Sequence, residues 1–178
     1  MTKTRLDVCG IGNAIVDIIA RVDDALLVRE GLSKGHMRLI DASEAERIYR
    51  LMGPAVETSG GSAANTIASI ASLGGKAAFI GKVADDEFGR IFAHDIRAAG
   101  VTFTTAAAPR GGEPTARSLI LVTPDGERTM NTFLGVSPML DKGEVDADLV
   151  RSGAIVYLEG YLFDRPEAKA AFRQAADL

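Results

Sequence analysis

The chain has 178 residues, of which 47% are hydrophobic and 25% are charged, and its formal net charge at pH 7 is -4. This composition is typical of a folded globular protein and excludes the disordered and fibrous classes. Lysine and arginine are scattered along the sequence, so neither a nucleic-acid surface nor an anionic-membrane surface is expected, and a small-molecule ligand is favoured. A chain of this length forms one domain or part of one.

The cysteine and histidine content argues against a metal centre. Cys9 is the only cysteine and lies in an apolar run, which predicts a buried small side chain and excludes a disulfide framework. His36 and His94 have no cluster of cysteines or carboxylates near them in the sequence. The N-terminal residues lack the apolar segment of a secretion signal, and no window approaches the ~18 apolar residues of a membrane span. We therefore expect a cytoplasmic protein without a metal site of its own.

Three strands and one helix are predicted in the first third of the chain. An apolar run from Leu6 ends at glycine, which is typical of a buried strand, and a second strand follows directly over residues 13–22. A third strand is predicted over residues 36–41. Ser43 then precedes an amphipathic segment with Glu46 three residues later, which is the pattern of a capping box at a helix N-terminus.

Helices and strands alternate in the middle of the chain. A helix over residues 62–73 is expected to stop at Gly74 and Gly75. A strand is predicted over residues 76–83 and a shorter one over residues 101–105. Between these strands, residues 86–100 are predicted to form a helix whose apolar face is made by Phe88, Ile91, Phe92 and Ala99.

The last third adds a hairpin to this alternation. Residues 115–133 are predicted to form two strands around a Thr-Pro-Asp-Gly turn of type I. A buried strand over residues 153–160 and a helix over residues 165–178, with proline in its first turn, follow. The alternation predicts an α/β fold with a parallel sheet covered on both faces. Because the sequence stops at Leu178 within a helical pattern, we expect the chain to be part of a longer protein.

A glycine pair precedes the predicted helix that starts near residue 62. Gly60 and Gly61 allow a ligand to approach the backbone, and the free N–H groups of the first helical turn favour its oxygen-rich or anionic groups. Asn65, one turn into the helix, offers both a donor and an acceptor on the same side. The alternative is tight helix packing through a smooth alanine face formed by Ala64, Ala68 and Ala71.

Two common phosphate-binding motifs do not fit. No glycine is followed by the Lys-Ser or Lys-Thr pair of a Walker motif. Residues 10–15 have isoleucine where the dinucleotide-binding motif has its third glycine, and a strand rather than a helix is predicted after them. A nicotinamide-dependent oxidoreductase is therefore a poor fit, and we expect no protection from heat on adding NAD.

Asn13 and Asp17 are the polar residues of the second predicted strand that bear most on function. They are four residues apart, so on a strand their side chains point to the same side. Asp17 lies between apolar residues, where a carboxylate is costly to bury unless it is hydrogen-bonded. It either faces solvent or a local turn, or it accepts hydrogen bonds from two neighbouring hydroxyls of a sugar, for which an acceptor-only group is suited.

These segments, in this order, resemble the N-terminal half of the ribokinase (PfkB) family of carbohydrate and nucleoside kinases. The resemblance rests on residues 10–18, on residues 60–89 and on the hairpin. It implies a three-layer α/β/α core with a small β-sheet lid, formed by strands within about residues 13–40 and 115–134. Residues 1–178 would then be the N-terminal part of one kinase domain, without its C-terminal ATP-binding part.

The resemblance also implies a substrate site, which it carries over residue by residue. Arg128, at the hairpin turn, aligns with a lid arginine of adenosine kinases or is a solvated turn residue. The chain departs from many sugar kinases at Ile67 and Ala84, and adenosine kinases are similar to it at Ile67, which favours a nucleoside or ribosyl substrate. The implied substrate-binding residues are Asn13, Asp17, Gly60, Gly61, Ser62 and Asn65, with Ser62 typical of the adenosine kinase branch.

The resemblance implies transfer of the γ-phosphoryl group of ATP to a primary hydroxyl, with Mg²⁺ as cofactor. Family members take the proton with an aspartate in a Gly-Ala-Gly-Asp segment and organise Mg²⁺ with an Asn-x-x-Glu segment. Neither segment occurs in the chain, and Glu159 is not preceded by the required asparagine. We therefore expect the catalytic base to lie beyond Leu178, and we expect no activity in this chain alone.

Several alternatives stay open at this stage. The acceptor is adenosine, another nucleoside, ribose, fructose or a related sugar, and a ribokinase or fructokinase type of enzyme is the second candidate. Met37, Phe133 and Tyr161 are candidates for contacting a base and equally for the core. A non-catalytic binding or scaffold protein is the main alternative outside enzymes. A homodimer formed through the lid sheet stays open for the kinase and for this alternative.

Overall fold

The computed structural model describes residues 5–178. Its strands are β1 (Leu6–Ile11), β2 (Ile15–Arg21), β3 (Met37–Leu39), β4 (Ala55–Gly60), β5 (Ala77–Ile80), β6 (Ala116–Val122), β7 (Arg128–Phe133) and β8 (Gly153–Leu158). Its α-helices are α1 (Asp24–Arg29), α2 (Ala42–Leu51), α3 (Ser62–Ser72), α4 (Glu87–Ala98), α5 (Ala147–Ser152) and α6 (Pro166–Asp177). None of the helices described here combines the length and the apolar character that crossing a membrane requires.

The first sheet is the parallel sheet that the alternation of elements predicts, with the strand order β5-β1-β8. Successive side chains point to opposite faces, so Val8 and Phe79 lie on one face and Cys9 and Ile80 on the other. Helices α3 and α4 cover the first face, and α5 and α6 cover the second. The predicted burial of Cys9 is confirmed, and that burial raises the pKa of its thiol to about 11. These three layers form the α/β/α core.

The second sheet has the strand order β3-β7-β6-β2-β4 and mixed strand directions. Strand β2 pairs parallel with β6 and antiparallel with β4, while β6 and β7 form the predicted hairpin. Helices α1 and α2 cover its back face, where Leu27 and Ile48 join the same apolar cluster as Ile18 and Leu119. We did not predict β4, whose sequence mixes polar residues with glycine. The two sheets meet at residues 12–14, which lead from β1 into β2.

Three local predictions are confirmed at the ends of elements. Gly74 follows α3 with a φ of 91°, and the N–H of Gly75 donates to the Ile70 carbonyl at 3.0 Å. Pro166 is the first residue of α6, where its missing N–H costs no helical hydrogen bond. The hairpin turn is closed by the Gly126 N–H, which donates to the Thr123 carbonyl at 2.9 Å.

The predicted cap of α2 is wrong. Asp41, not Ser43, is the N-cap, because the Asp41 carboxylate accepts the Glu44 N–H at 2.8 Å. The Ser43 hydroxyl instead donates to the same carboxylate. Glu46 therefore completes no capping box, and its carboxylate pairs with Arg117 of β6. A stronger acceptor two residues earlier in the sequence moved the start of the helix.

Two further predictions around α4 are wrong. Ala99 is the exposed C-cap residue, and Ile96 takes the fully buried place on the apolar face of the helix. The segment over residues 101–105 forms no strand, since only Thr102 pairs, with Ala78 of β5. Its two backbone hydrogen bonds with β5 are not extended before the chain turns away.

Strand β8 forms where it is predicted, but it is not buried. Within residues 5–178 it pairs only with β1 and therefore lies at the edge of the first sheet. Ile155 is 64% exposed, and the neighbouring Val156 and Tyr157 are exposed as well. The apolar run predicted the strand correctly, but the prediction that the strand is buried is wrong for residues 5–178, because an apolar run does not distinguish an edge strand from a central one.

Candidate functional site

A cleft of about 480 Å³ opens between the front face of the second sheet and the N-terminus of α3. Its floor is formed where β1 and β8 end, and its wall is formed by the side chains of β2, β3, β6 and β7 that point away from α1 and α2. Residues distant in sequence therefore line one concave surface. Of the residues predicted to bind substrate, Asn13, Asp17, Gly61, Ser62, Asn65 and Arg128 lie on it.

Asp17 points from β2 into the cleft because the residues before and after it, Val16 and Ile18, face the buried back of the sheet. No hydrogen-bond donor within residues 5–178 reaches its carboxylate, so the local turn bond considered above is not formed. Burial raises the pKa of Asp17 to about 6, and the positive charge of Arg128 acts in the opposite direction. The structure therefore holds a half-buried acceptor whose protein partner is a nearby charge and not a hydrogen bond.

Gly60 is the one predicted substrate-binding residue that does not line the cleft, and its role is visible in its contacts. Its neighbour on β2 is Ile15, and the Asp17 carboxylate lies directly over it. A Cβ atom at position 60 would overlap that carboxylate. Glycine is therefore required here so that Asp17 can adopt this position.

Gly61 places the start of α3 against the end of β1. Its φ is 98°, in the region that side chains other than glycine rarely adopt, and a Cβ atom there would lie 2.5 Å from the Asn13 carbonyl oxygen. Another group does approach the backbone closely at Gly61, as the glycine pair predicts, but this group is the Asn13 carbonyl of the protein itself. The alanine-face alternative also holds in part, since Ala64 is buried in the core.

Asn13 is held from both ends of its side chain. Its Nδ2 donates to Glu159 Oε2 at 3.3 Å, and its Oδ1 accepts from the Ser137 hydroxyl at 2.9 Å. The same hydroxyl accepts the Ala14 N–H at 3.1 Å. Asn13 is only 4% exposed, so one amide hydrogen is left to meet a ligand in the cleft.

Glu159 is a site residue that the sequence analysis did not assign. It follows β8 directly and is 3% exposed. Its carboxylate accepts from the Asn13 and Ala63 N–H groups at 2.9 and 2.8 Å and from the Ser62 hydroxyl. The sequence predicts both strands but not that they are neighbours, and it is their parallel pairing, which ends at Ile11 and Leu158, that brings the next residues of each together.

Asn65 and Arg128 are available for a ligand. Asn65 is exposed one turn into α3, and its side-chain amide makes no hydrogen bond to the rest of residues 5–178. Arg128 begins β7 on the front face of the second sheet and is exposed. Together with Asp17 they surround the open part of the cleft with one acceptor, one amide and one cation.

The remaining wall of the cleft is apolar. Met37 and Tyr161, two of the candidates for contacting a base, line the cleft and are more than half exposed. Phe133, the third, is buried and lies against the Arg117 guanidinium, so it belongs to the core. The other apolar residues of the wall are Ile15, Leu39, Ile120, Met130 and Leu134.

Leu178, beyond which the catalytic base is expected, is not among the residues that line the cleft. It follows the last turn of α6 as the C-cap residue, and it is 37% exposed. Leu178 itself therefore belongs to the helix that covers the first sheet and takes no part in the site. The position of the base beyond Leu178 lies outside the described residues and stays a prediction.

A comparison with models of protein families identifies the family of this chain. Residues 7–178 match the model of the pfkB family carbohydrate kinases. The chain belongs to the PfkB family. The family resemblance and the fold class predicted from the sequence are both confirmed.

Members of the PfkB family and related kinases are similar to the chain over part of their length. The crystal structure of adenosine kinase from Sinorhizobium meliloti is 57% identical, with a TM-score of 0.88, over 97% of this chain and 53% of that one. The ATP-dependent ribose-1-phosphate kinase of Halopiger xanaduensis is 31% identical over 82% of this chain and 50% of its own length. The probable fructokinase-4 of Arabidopsis thaliana is 33% identical over 57% of this chain and 32% of its own. The chain thus spans about half of these proteins or less.

Ile67, where the chain departs from many PfkB sugar kinases, has a packing role. It is fully buried on α3, and its side chain fills the space over Gly10 of β1, where a Cβ atom would lie 2.5 Å from Ile67 Cγ1. Ile67 therefore packs against Gly10 in the core and is not among the residues that line the cleft. Ala84, the second departure, is also buried, and its N–H donates to the Thr115 hydroxyl at 2.9 Å.

Proposed function

We propose that this chain carries the acceptor-binding side of an ATP-dependent kinase that phosphorylates a hydroxyl group of a nucleoside such as adenosine. The observation that carries the proposal is the carboxylate of Asp17, which lies half-buried in the cleft without a hydrogen-bond donor from residues 5–178. A buried acceptor without a protein donor is costly, which favours a donor supplied by a ligand. Two neighbouring hydroxyls of a ribose supply two such donors.

The charges around the cleft support this orientation of the ligand. The ionised form of Asp17 can only accept hydrogen bonds and has its full acceptor capacity, and Arg128 lies near enough to favour that form. Asn65 can both donate and accept at the opposite side of the open cleft. We propose that these three residues hold the ribosyl hydroxyls, while Gly60 and Gly61 allow the close packing that positions Asp17 and α3.

The apolar wall favours a nucleoside over a free sugar. A sugar alone would leave Met37, Leu39 and Met130 in contact with hydroxyl groups, whereas a base would cover them. The similarity to the adenosine kinase of Sinorhizobium meliloti supports the same choice. The second candidate is a sugar acceptor such as fructose, supported by the similarity to the probable fructokinase of Arabidopsis thaliana.

We propose that ATP, Mg²⁺ and the catalytic base are held by residues of the whole protein beyond Leu178. No three histidine, cysteine, aspartate or glutamate side chains within residues 5–178 converge in a group that could hold a metal ion. The sequence also lacks the Gly-Ala-Gly-Asp and Asn-x-x-Glu segments that the family resemblance implies. The role of the chain's own residues is therefore to bind and orient the acceptor, with the second sheet as a lid over it.

An acceptor panel tests the proposal. Isothermal titration calorimetry of the 178-residue chain with adenosine, ribose and fructose is expected to show adenosine as the tightest ligand. If ribose or fructose bound more tightly than adenosine, the proposed acceptor would be a sugar and not a nucleoside. If none of the three binds at millimolar concentration, the proposed role of the cleft is wrong.

A turnover assay tests the second part of the proposal. The same chain, incubated with ATP, Mg²⁺ and adenosine, is expected to form no AMP above the background of a protein-free reaction. Turnover by the chain alone would show that the base and the ATP site lie within its 178 residues.

A further inference from the structure

The N-terminus of α3 is already occupied by a negative charge from the protein. A helix N-terminus attracts anions because its first N–H groups are free and its dipole is positive there. Gly61, the N-cap of α3, has no side chain to accept from them. Glu159 does so from the end of β8, since its Oε1 accepts the Ala63 N–H at 2.8 Å and the Ser62 hydroxyl.

The carboxylate of Glu159 has no acceptor position left for a ligand. Its second oxygen, Oε2, accepts from the Asn13 N–H at 2.9 Å and from Asn13 Nδ2 at 3.3 Å. A carboxylate offers about four acceptor sites, and four donors of the protein fill them. Glu159 therefore lines the cleft as a charge and not as a group that receives a ligand's hydroxyl.

The charge of Glu159 adds to that of the rest of the cleft. The ionisable residues that line it are Asp17, Arg128, Tyr161 and Glu159. The cleft therefore has two carboxyl groups and a single guanidinium group. An external phosphate near the start of α3 would have to displace the Ser62 and Ala63 donors from Glu159 and lie beside a like charge.

We propose that Glu159 is a specificity-determining residue, a built-in anion that makes the cleft select uncharged acceptors and reject phosphorylated ones. The inference rests on the proposed function, since it concerns the acceptor that the same cleft binds. The names of two relatives, a ribose-1-phosphate kinase and an adenosine kinase, include one acceptor with a phosphate and one without.

Inorganic phosphate is the probe that tests this proposal without assuming an acceptor. Its dissociation constant is measured by calorimetry for the 178-residue chain and for the Glu159→Ala variant, which frees the Ala63 N–H and opens the space. We expect phosphate to bind the variant about tenfold or more tightly than the unmodified chain, because a like charge has been removed at short range. Glu167→Ala is the matched control: Glu167 lies in the first turn of α6 but is exposed, so its removal is expected to leave phosphate binding unchanged.

A second variant covers the case in which Glu159→Ala does not fold. Glu159→Gln keeps the size of the side chain and removes the charge, and phosphate is expected to bind it about threefold or more tightly than the unmodified chain. Equal phosphate binding by the unmodified chain and by the folded Glu159 variants would overturn the proposal, as would an equal gain in Glu167→Ala.

Adenosine binding by the unmodified chain separates this inference from the proposed function. If adenosine binds but Glu159 variants gain no phosphate affinity, only the inference about Glu159 fails. If adenosine does not bind while the variants gain phosphate affinity, Glu159 does exclude anions, and it is the nucleoside acceptor that is wrong.

Discussion

The cleft contains two carboxylates in opposite situations. Asp17, on the face of the second sheet, meets no donor from residues 5–178, and burial raises its pKa to about 6. Glu159, on the floor where the parallel strands end, receives four donors from Asn13, Ser62 and Ala63. A saturated carboxylate positions its neighbours, whereas one without donors has its acceptor capacity free for a ligand. We therefore propose that the floor of the cleft maintains its shape and that its wall binds the ligand.

The substitution Asp17→Asn removes one of the two acceptor oxygens of Asp17 on the wall of the cleft. It replaces one carboxylate oxygen by a donor of the same size and removes the charge, so one of the two hydrogen bonds to ribose hydroxyls is lost and the other weakens. Adenosine is expected to bind about 100-fold more weakly, since hydrogen bonds to charged groups contribute about 1.5–3 kcal/mol each. Calorimetry at about pH 7.5, where the carboxylate of the unmodified chain is ionised, measures the loss.

Asp177→Asn provides the control for this change. Asp177 lies in the last turn of α6, is exposed and is remote in the fold from the cleft. Its substitution is expected to leave adenosine binding unchanged. If the dissociation constant for adenosine changed by less than about threefold in Asp17→Asn, the ligand would not contact Asp17. The distinction between the wall and the floor would then be wrong.

A substitution in the floor of the cleft is expected to lower the stability of the folded protein. Gly61→Ala places a Cβ atom 2.5 Å from the Asn13 carbonyl oxygen at a φ of 98°, so α3 or residues 12–14 must shift. We expect the free energy of unfolding to fall by about 2–3 kcal/mol, which urea denaturation measures. Gly74→Ala separates the two causes, because Gly74 has a φ of 91° with no atom within 4 Å of its Cβ position, and it should cost about 1 kcal/mol. Equal losses in both variants would show that the close approach at Gly61 contributes nothing.

Ser137 is the smaller test of the floor. Its buried hydroxyl accepts the Ala14 N–H and donates to Asn13 Oδ1, so Ser137→Ala leaves two buried groups unpaired. A loss of about 1–2 kcal/mol in the free energy of unfolding is expected. Ser33→Ala, at an exposed serine, should change the stability by less than about 0.5 kcal/mol. If Ser137→Ala lowered the ligand affinity but left the stability unchanged, Ser137 would have to be assigned to ligand binding and not to the structure of the floor.

The wall was more accessible to sequence reasoning than the floor. Asp17 stands out because a charged residue interrupts an apolar strand, and alternation along that strand correctly placed it on the side away from Val16 and Ile18. Gly60, which lies under Asp17, stands out together with Gly61 of the floor because two glycines directly precede a predicted helix. These are local signals, visible within a few residues.

The floor depends on contacts across more than 90 residues, which local patterns do not contain. Glu159 reaches Asn13 and Ala63 only because β1 and β8 are neighbours in the sheet, and a sequence predicts parallel strands more readily than their order. The cap of α2 failed for a different reason. Asp41 and Ser43 are both good N-cap residues, and a charged acceptor two residues earlier prevailed over the pattern of a capping box.

The smallest effect expected is on the stability of the unliganded chain, and it has the opposite sign to the effect on binding. Because burial raises the pKa of Asp17 from 3.8 to about 6, the folded state holds the Asp17 proton more tightly than the unfolded state does. The resulting stabilisation is complete below pH 3.8 and is lost as the pH rises to about 6. At pH 7 Asp17→Asn is therefore expected to be more stable than the unmodified chain, by on the order of 1 kcal/mol after allowing for partial exposure. At about pH 3.5 the two should unfold at the same urea concentration. If Asp17→Asn were less stable than the unmodified chain at pH 7, the Asp17 carboxylate would have to receive stabilising interactions from the protein itself. The difference between Asp17 and Glu159 would then disappear.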